Sequence, residues 1–190
     1  MKILFAAAAL ATTFAAGSAL AQTADFKCPA KGTTFVMRSD GVDETSVATG
    51  QQGDACTSDR QEGGKTVTVR NYWGVVGSVD AAGESYVKGL NLKALWPLKV
   101  GNKIDQTINA TGYDGKPYTA NVTIAVTAYE KVTVPAGTFD AFRIEESEAG
   151  RPTPGIRWWA PALGMSVKNS FPDWKDKTRL KVYELVSIKP

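Results

Sequence analysis

Apolar residues recur at every second position through much of this chain, the period that puts them on one face of a β-strand. The clearest run is residues 118–130. Tyr118, Ala120, Val122, Ile124, Val126 and Ala128 face one way there, and Thr119, Asn121, Thr123 and Thr127 the other. Residues 65–72 repeat the pattern, with Val67 and Val69 opposite Thr66, Thr68 and Arg70. Further strands are expected at 33–38, 103–111, 138–146, 156–160, 165–170 and 178–188. The turns between them carry their own chemistry. Asp114-Gly115 supplies the positive φ of a tight hairpin. Pro135 pre-sets φ and Gly137 closes a turn with a left-handed residue, and Pro161 to Gly164 act similarly. Residues 25–62 look less regular. The one helix expected is short, over residues 89–96, and Pro97 limits it. The chain therefore reads as all-β, a single antiparallel β-meander rolled into a sandwich or partial barrel with at most one short helix.

The N-terminus breaks this pattern. Lys2 precedes an apolar stretch of mostly Ala, Leu and Phe, and Ala19-Leu20-Ala21 offers a small-x-small cleavage site. Residues 1–21 are expected to be a cleavable signal peptide, leaving residues 22–190 as one domain in the periplasm. The competing reading is a membrane anchor, for which the run is barely long enough and weakly apolar at its end. No Cys follows the predicted cut directly, which disfavours N-terminal lipid attachment. No second apolar stretch reaches spanning length. The formal charge of +3 includes Lys2, so the processed chain is close to neutral and is not expected to bind nucleic acid.

Two cysteines, Cys28 and Cys56, are the full complement. In an oxidising compartment they read as one disulfide, restricting the unfolded chain by about 3–4 kcal/mol. A redox pair is the alternative, although such pairs usually stand closer together.

Three segments in order resemble a known group. They are WPLKVG at 96–101, VTVPAGTF at 132–139 and RWWAPALGMSVK at 157–168. They are similar to the "PL-x-V-G", "V-x-V-PAG-T-F" and "WYAPGVGLVK" motifs of exported bacterial β-rich proteins of unknown function, some thought to lie near the LolA/LolB-like lipoprotein-carrier fold. The likeness covers residues 90–190 and implies a fold. Its matching residues shape turns and core, so it transfers no functional residue. Trp159 replaces the usual Tyr, and Ala162 and Met165 also depart from the pattern.

Candidate chemistry is sparse. The chain holds no histidine, which removes Ser-His-Asp and Cys-His arrangements and His-ligated zinc. Ser85-Tyr86-Val87-Lys88 matches S-x-x-K, but no Lys-Thr-Gly partner follows, and Gly83 and Gly89 disfavour the helix the motif needs. Glu145 and Glu146 should point to opposite faces, and with Glu148 they read as a solvated strand end. Asp40, Asp43 and Glu44 could bind Ca²⁺, yet they match no EF-hand loop and read better as a polar turn. Neither a metal nor a cofactor is expected. Beyond position 166, Lys168, Lys175, Lys177, Arg179, Lys181 and Lys189 outnumber Asp173, Asp176 and Glu184, with Phe171 and Trp174 interleaved. That stretch reads as a solvated loop and a lysine-protected last strand, with an anionic envelope surface as the alternative partner.

The aromatic residues lead further. Trp158 and Trp159 are adjacent in an expected strand, so their side chains leave on opposite faces. One fills the core, and the other sits at a rim, in a pocket or over a sheet edge. With Arg157 beside them, Arg157, Trp158 and Trp159 are the candidate ligand- or partner-binding residues. Trp73 and Trp96 are expected in the core. The resulting expectation is a non-enzymatic periplasmic protein binding an apolar or lipid-like ligand, with an envelope protein-interaction or structural module as the alternative.

Overall fold

The computed structural model describes residues 22–79, 81–112, 114–173, 176 and 179–190. The expected signal at 1–21 and Trp174, Lys175 and Lys177 of the basic stretch lie outside the described residues. The elements in order are β1 (Thr23–Ala24), β2 (Thr34–Ser39), β3 (Val42–Gln52), β4 (Ala55–Glu62), β5 (Lys65–Tyr72), β6 (Val76–Ser78) and helix α1 (Ala81–Lys88). A 3-10 turn (Leu92–Leu95) follows, then β7 (Leu98–Lys99), β8 (Lys103–Thr111), β9 (Pro117–Val134), β10 (Gly137–Glu148), β11 (Gly155–Ala160), β12 (Met165–Pro172) and β13 (Leu180–Lys189).

The fold is all-β, as the alternation implies. One antiparallel sheet runs in the order β6-β5-β4-β3-β2-β13-β12-β11-β10-β9-β8. Two meanders, β2 to β6 and β8 to β13, are joined where the first long strand pairs with the last, with Phe35 opposite Ile188 and Met37 opposite Leu185. The sheet ends at β6 and β8 and does not close into a barrel. A second, two-stranded sheet ties Thr23 and Ala24 of β1 to Lys99 and Leu98 of β7.

Two apolar clusters hold this sheet. The first gathers Ile104, Ile108, Val122, Ile124, Phe142 and Trp159 under the Leu92–Leu95 turn, α1 and the β5–β6 turn. The second joins Val132 and Val134 at the tip of the β9–β10 hairpin to Ala160, Val167 and Leu185. There the Ala136 amide donates to the Leu185 carbonyl at 3.0 Å. A bulge opposite Arg143 and Ile144 leaves Thr127 out of register, and a bulge reverses the faces of the residues beyond it. The expected alternation therefore stops at Val126 rather than reaching Ala128. Tyr129, not Ala128, turns inward to pack against Phe142, with tilted rings whose centroids are 4.7 Å apart.

Three expectations need correction. The helix lies at Ala81–Lys88, ahead of residues 89–96, which hold only the Leu92–Leu95 turn. Gly83 is tolerated inside α1. Gly89 ends it where a Cβ would stand 2.8 Å from Ile108 Cβ, so the helix can lie close on β8 only with glycine there. Residues 25–62, expected to be less regular, carry besides the expected strand β2 the eleven- and eight-residue strands β3 and β4. Asp43 and Glu44 lie in β3 rather than in a turn, and each is paired with an arginine, Arg38 and Arg60 respectively. Asp40 alone sits in the turn, in left-handed backbone at φ 51°.

The N-terminal segment is a strap. After β1, Phe26 packs against Trp73 and Trp96 with centroids 4.9 and 5.3 Å apart, and Trp96 meets Trp159 edge-on at 5.0 Å. Cys28 and Cys56 form the expected disulfide, with Cα atoms 5.3 Å apart. The β11–β12 turn closes over the strap so tightly that a Cβ on Gly164 would lie 2.9 Å from the Lys27 carbonyl oxygen.

Candidate functional site: a groove on the rolled sheet

The strands that lack apolar alternation help to build a concavity on the rolled sheet. Across β2, β3 and β4 the register aligns Phe35 with Ser46 and Ser46 with Arg60; across β3, β4 and β5 it aligns Ala48 with Ser58 and Ser58 with Val69. Ser46, Ala48 and Ser58 are buried, and side chains this short leave room above them. Phe35, Met37, Val75, Met165 and Phe171 form the taller walls of a groove of about 530 Å³. Pro29, Cys56 and Gly164 also line it, so the residue that follows the strap and one half of the disulfide form part of its wall. Its lining is polar and apolar in near-equal measure, unlike a pocket made for hydrocarbon alone.

Three charged residues line the groove: Glu44, Arg60 and Arg157. Arg60 spends both terminal nitrogens on carboxylates, Nη1 to Glu44 Oε2 at 3.0 Å and Nη2 to Glu62 Oε2 at 3.1 Å. Arg157 is held differently. Its side chain is only 11% exposed, and Nη1 donates to Glu146 Oε2 at 2.8 Å while the guanidinium lies 4.6 Å over the Phe171 ring. Glu146 is fixed in turn by Tyr86, whose hydroxyl donates to Oε1 at 2.8 Å. Burial first, and then the Glu146 carboxylate, push the Tyr86 phenol far above its ordinary range, so it remains a neutral donor. Two strands and a helix thus fix one arginine at the groove wall.

The sequence-derived candidates separate in the structure. Arg157 lines the groove. Trp159 is fully buried beside Phe142, its register partner, and is no surface residue. Trp158 is half-buried on the second cluster, where its Nε1 donates to Glu130 Oε1 at 2.6 Å and Lys168 lies 5.8 Å over its ring. The two indoles do leave on opposite sides, but neither lines the groove. Trp73 and Trp96 are only partly buried, packed on the edge of the first cluster.

The remaining candidates have structural partners. Ser85 does lie on a helix, contrary to the glycine argument, and its Oγ accepts from the Thr111 amide at 2.9 Å. Lys88 pairs with Glu84 at 3.7 Å. Glu146 and Glu148 are not a solvated strand end, since both are largely buried and ion-paired. In the basic stretch, Lys168 pairs with Glu184 and Arg179 bridges Asp40 and Asp173. Among the described residues no group of three or more Cys, Asp or Glu could hold a metal ion, and no helix is long and apolar enough to cross a membrane. Residue-by-residue reading missed Ser46, Ser58, Asn71 and Asn169, all on the groove. Their one signal was the run of short polar side chains through β3 and β4.

Fold and groove together define an all-β protein with a rolled, open antiparallel sheet and an amphipathic concavity. No protein-family model matches the chain, and no curated protein does. Among solved structures it is similar to the hypothetical lipoprotein YmcC from Escherichia coli K12, with a TM-score of 0.48 and 11% identity over 83% of this chain and 85% of that one. A candidate exported protein with a YmcC-like fold from Bacteroides fragilis gives 0.41 and 14%, covering 88% of this chain and 100% of that one. A candidate lipoprotein from Parabacteroides distasonis gives 0.40 and 12% over the same shares.

Proposed function

We propose that this is an exported, non-enzymatic binding protein of the periplasm whose groove holds an amphiphilic, lipid-like ligand. The observation that carries the reading is the groove itself. It has a volume suited to a small molecule, apolar walls of Phe, Met and Val, and polar side chains spread among them. Export rests on the signal-like N-terminus, and the Cys28–Cys56 bond suits an oxidising compartment. Native mass spectrometry of protein purified from its own periplasm tests it. A retained amphiphile, lost when Ser58→Phe fills the groove floor, is the expected result. Recovery with nothing bound and no uptake of added amphiphile would overturn it.

One observation favours the interaction-module reading. β5 pairs with β4 along its full length but with β6 only at Arg70, Asn71 and Tyr72, so residues 65–69 offer a strand edge to a partner. Capture of an envelope protein by the wild type, abolished by Thr66→Pro, would favour that reading.

A further inference from the structure

We infer that the groove selects amphiphiles with an oxyanion head, a carboxylate or a phosphate, and that Arg157 seats it. This rests on the groove being a ligand site and adds which end of the ligand is read, and by what.

Arg157 brings five N–H donors in a rigid plane and no acceptor. Among the described residues only Nη1 is used, on Glu146. Nε and Nη2, the side-on fork that fits two oxygens at once, have no hydrogen-bond partner among the described residues, and neither is sealed away from solvent. The fork belongs to a side chain already immobilised by Glu146 on one edge and Phe171 on one face, so binding costs little further ordering.

Its surroundings agree. Asn169, the register partner of Arg157 on β12, lines the groove with a side-chain amide that bonds to nothing else in the described chain. Asn71 on the facing strand β5 is equally unpartnered, and Gly77 makes room for it, since a Cβ there would stand 3.0 Å from Asn71 Oδ1. The one carboxylate on the lining, Glu44, is already committed to Arg60. The unspent polar capacity of the groove is therefore rich in donors, and the complementary group is rich in acceptors. Glu146 offsets the charge of Arg157, so the preference comes from directed hydrogen bonds rather than from net charge. Phe35, Met37 and Met165 remain to take an apolar tail.

Titration calorimetry with four probes tests this: dodecanoate, dodecyl phosphate, neutral monododecanoylglycerol and inorganic phosphate. Both dodecyl anions should bind about tenfold or more tightly than the neutral ester, the worth of a charge-assisted bidentate contact. Arg157→Lys, which keeps charge but loses the fork, should erase most of that ratio. Asn169→Asp should erase it without touching the Arg157–Glu146 pair, should the Arg157 variant fold poorly. Inorganic phosphate binding as tightly as dodecyl phosphate would identify the ligand as a free oxyanion, upholding the fork and overturning the amphiphile reading. Equal binding of the neutral and anionic dodecyl probes would overturn the oxyanion inference alone. No binding of any probe would overturn both.

Discussion

Cutting the disulfide isolates the energetics of the strap. In a Cys28→Ala, Cys56→Ala double variant the strap, residues 22–28, is still held by β1 on β7, by Phe26 among Trp73 and Trp96, and by the Lys27 ammonium on the Ala162 carbonyl at 3.3 Å. The native state should keep its shape, and the loss should come from the freed unfolded chain. A sequence separation of 28 gives a loop-closure contribution of about 3.5 kcal/mol. Urea unfolding followed by tryptophan emission measures it, since Trp73 and Trp96 pack on Phe26 of the strap. The expected result is a fall of about 3.5 kcal/mol with unchanged native emission and an m-value that holds or rises as the freed unfolded chain expands. A fall below about 1 kcal/mol would refute the entropic account. A lower m-value with red-shifted native emission would show that the strap leaves the sheet once untied, because less surface is then exposed on unfolding.

Two further outcomes rest on the core and the groove's support. Gly74→Ala should cost about 2–4 kcal/mol, because Gly74 has φ +64° and an added Cβ would stand 2.7 Å from Nε1 of the buried Trp159; an unchanged melting temperature would contradict that packing. Tyr86 keeps its proton in the folded protein beyond the pH at which the unfolded chain loses it, since its folded-state value is raised. Stability should therefore decline as pH rises above about 10, at up to about 1.4 kcal/mol per pH unit from this group. Tyr86→Phe should flatten that decline in urea titrations between pH 9 and 11.5, and identical slopes in both proteins would remove Tyr86 as its source.

The C-terminal meander could be read from sequence because its strands bury one face in an apolar core. β8 and β9 set Ile104, Ile108, Ala120, Val122, Ile124 and Val126 inward against outward Thr and Asn, and the pattern survives until the Thr127 bulge. A bulge changes faces without changing composition, so nothing in the alternation announces it. The helix was misplaced for a different reason. Eight residues give little more than two turns of period, and Gly83 and Gly89 are local breakers whose cost tertiary contacts with β8 outweigh.

β3 and β4 were hidden by the property that makes them matter. A strand is recognised by large apolar side chains on its covered face, and these strands cover theirs with Ser46, Ala48 and Ser58. Such residues are buried without filling the space above them. In a sheet that otherwise packs Val, Ile and Phe inward, a stretch of small polar residues at inward positions marks where the interior has been left open rather than where structure is absent. The sequence singles out Arg157 only as the neighbour of two tryptophans that turn away from the groove. Its supports are Glu146, Tyr86 and Phe171, which come from three separate elements. Only the folded sheet brings them to one wall. Once there, they hold a guanidinium on the wall of the groove, with two of its nitrogens uncommitted among the described residues.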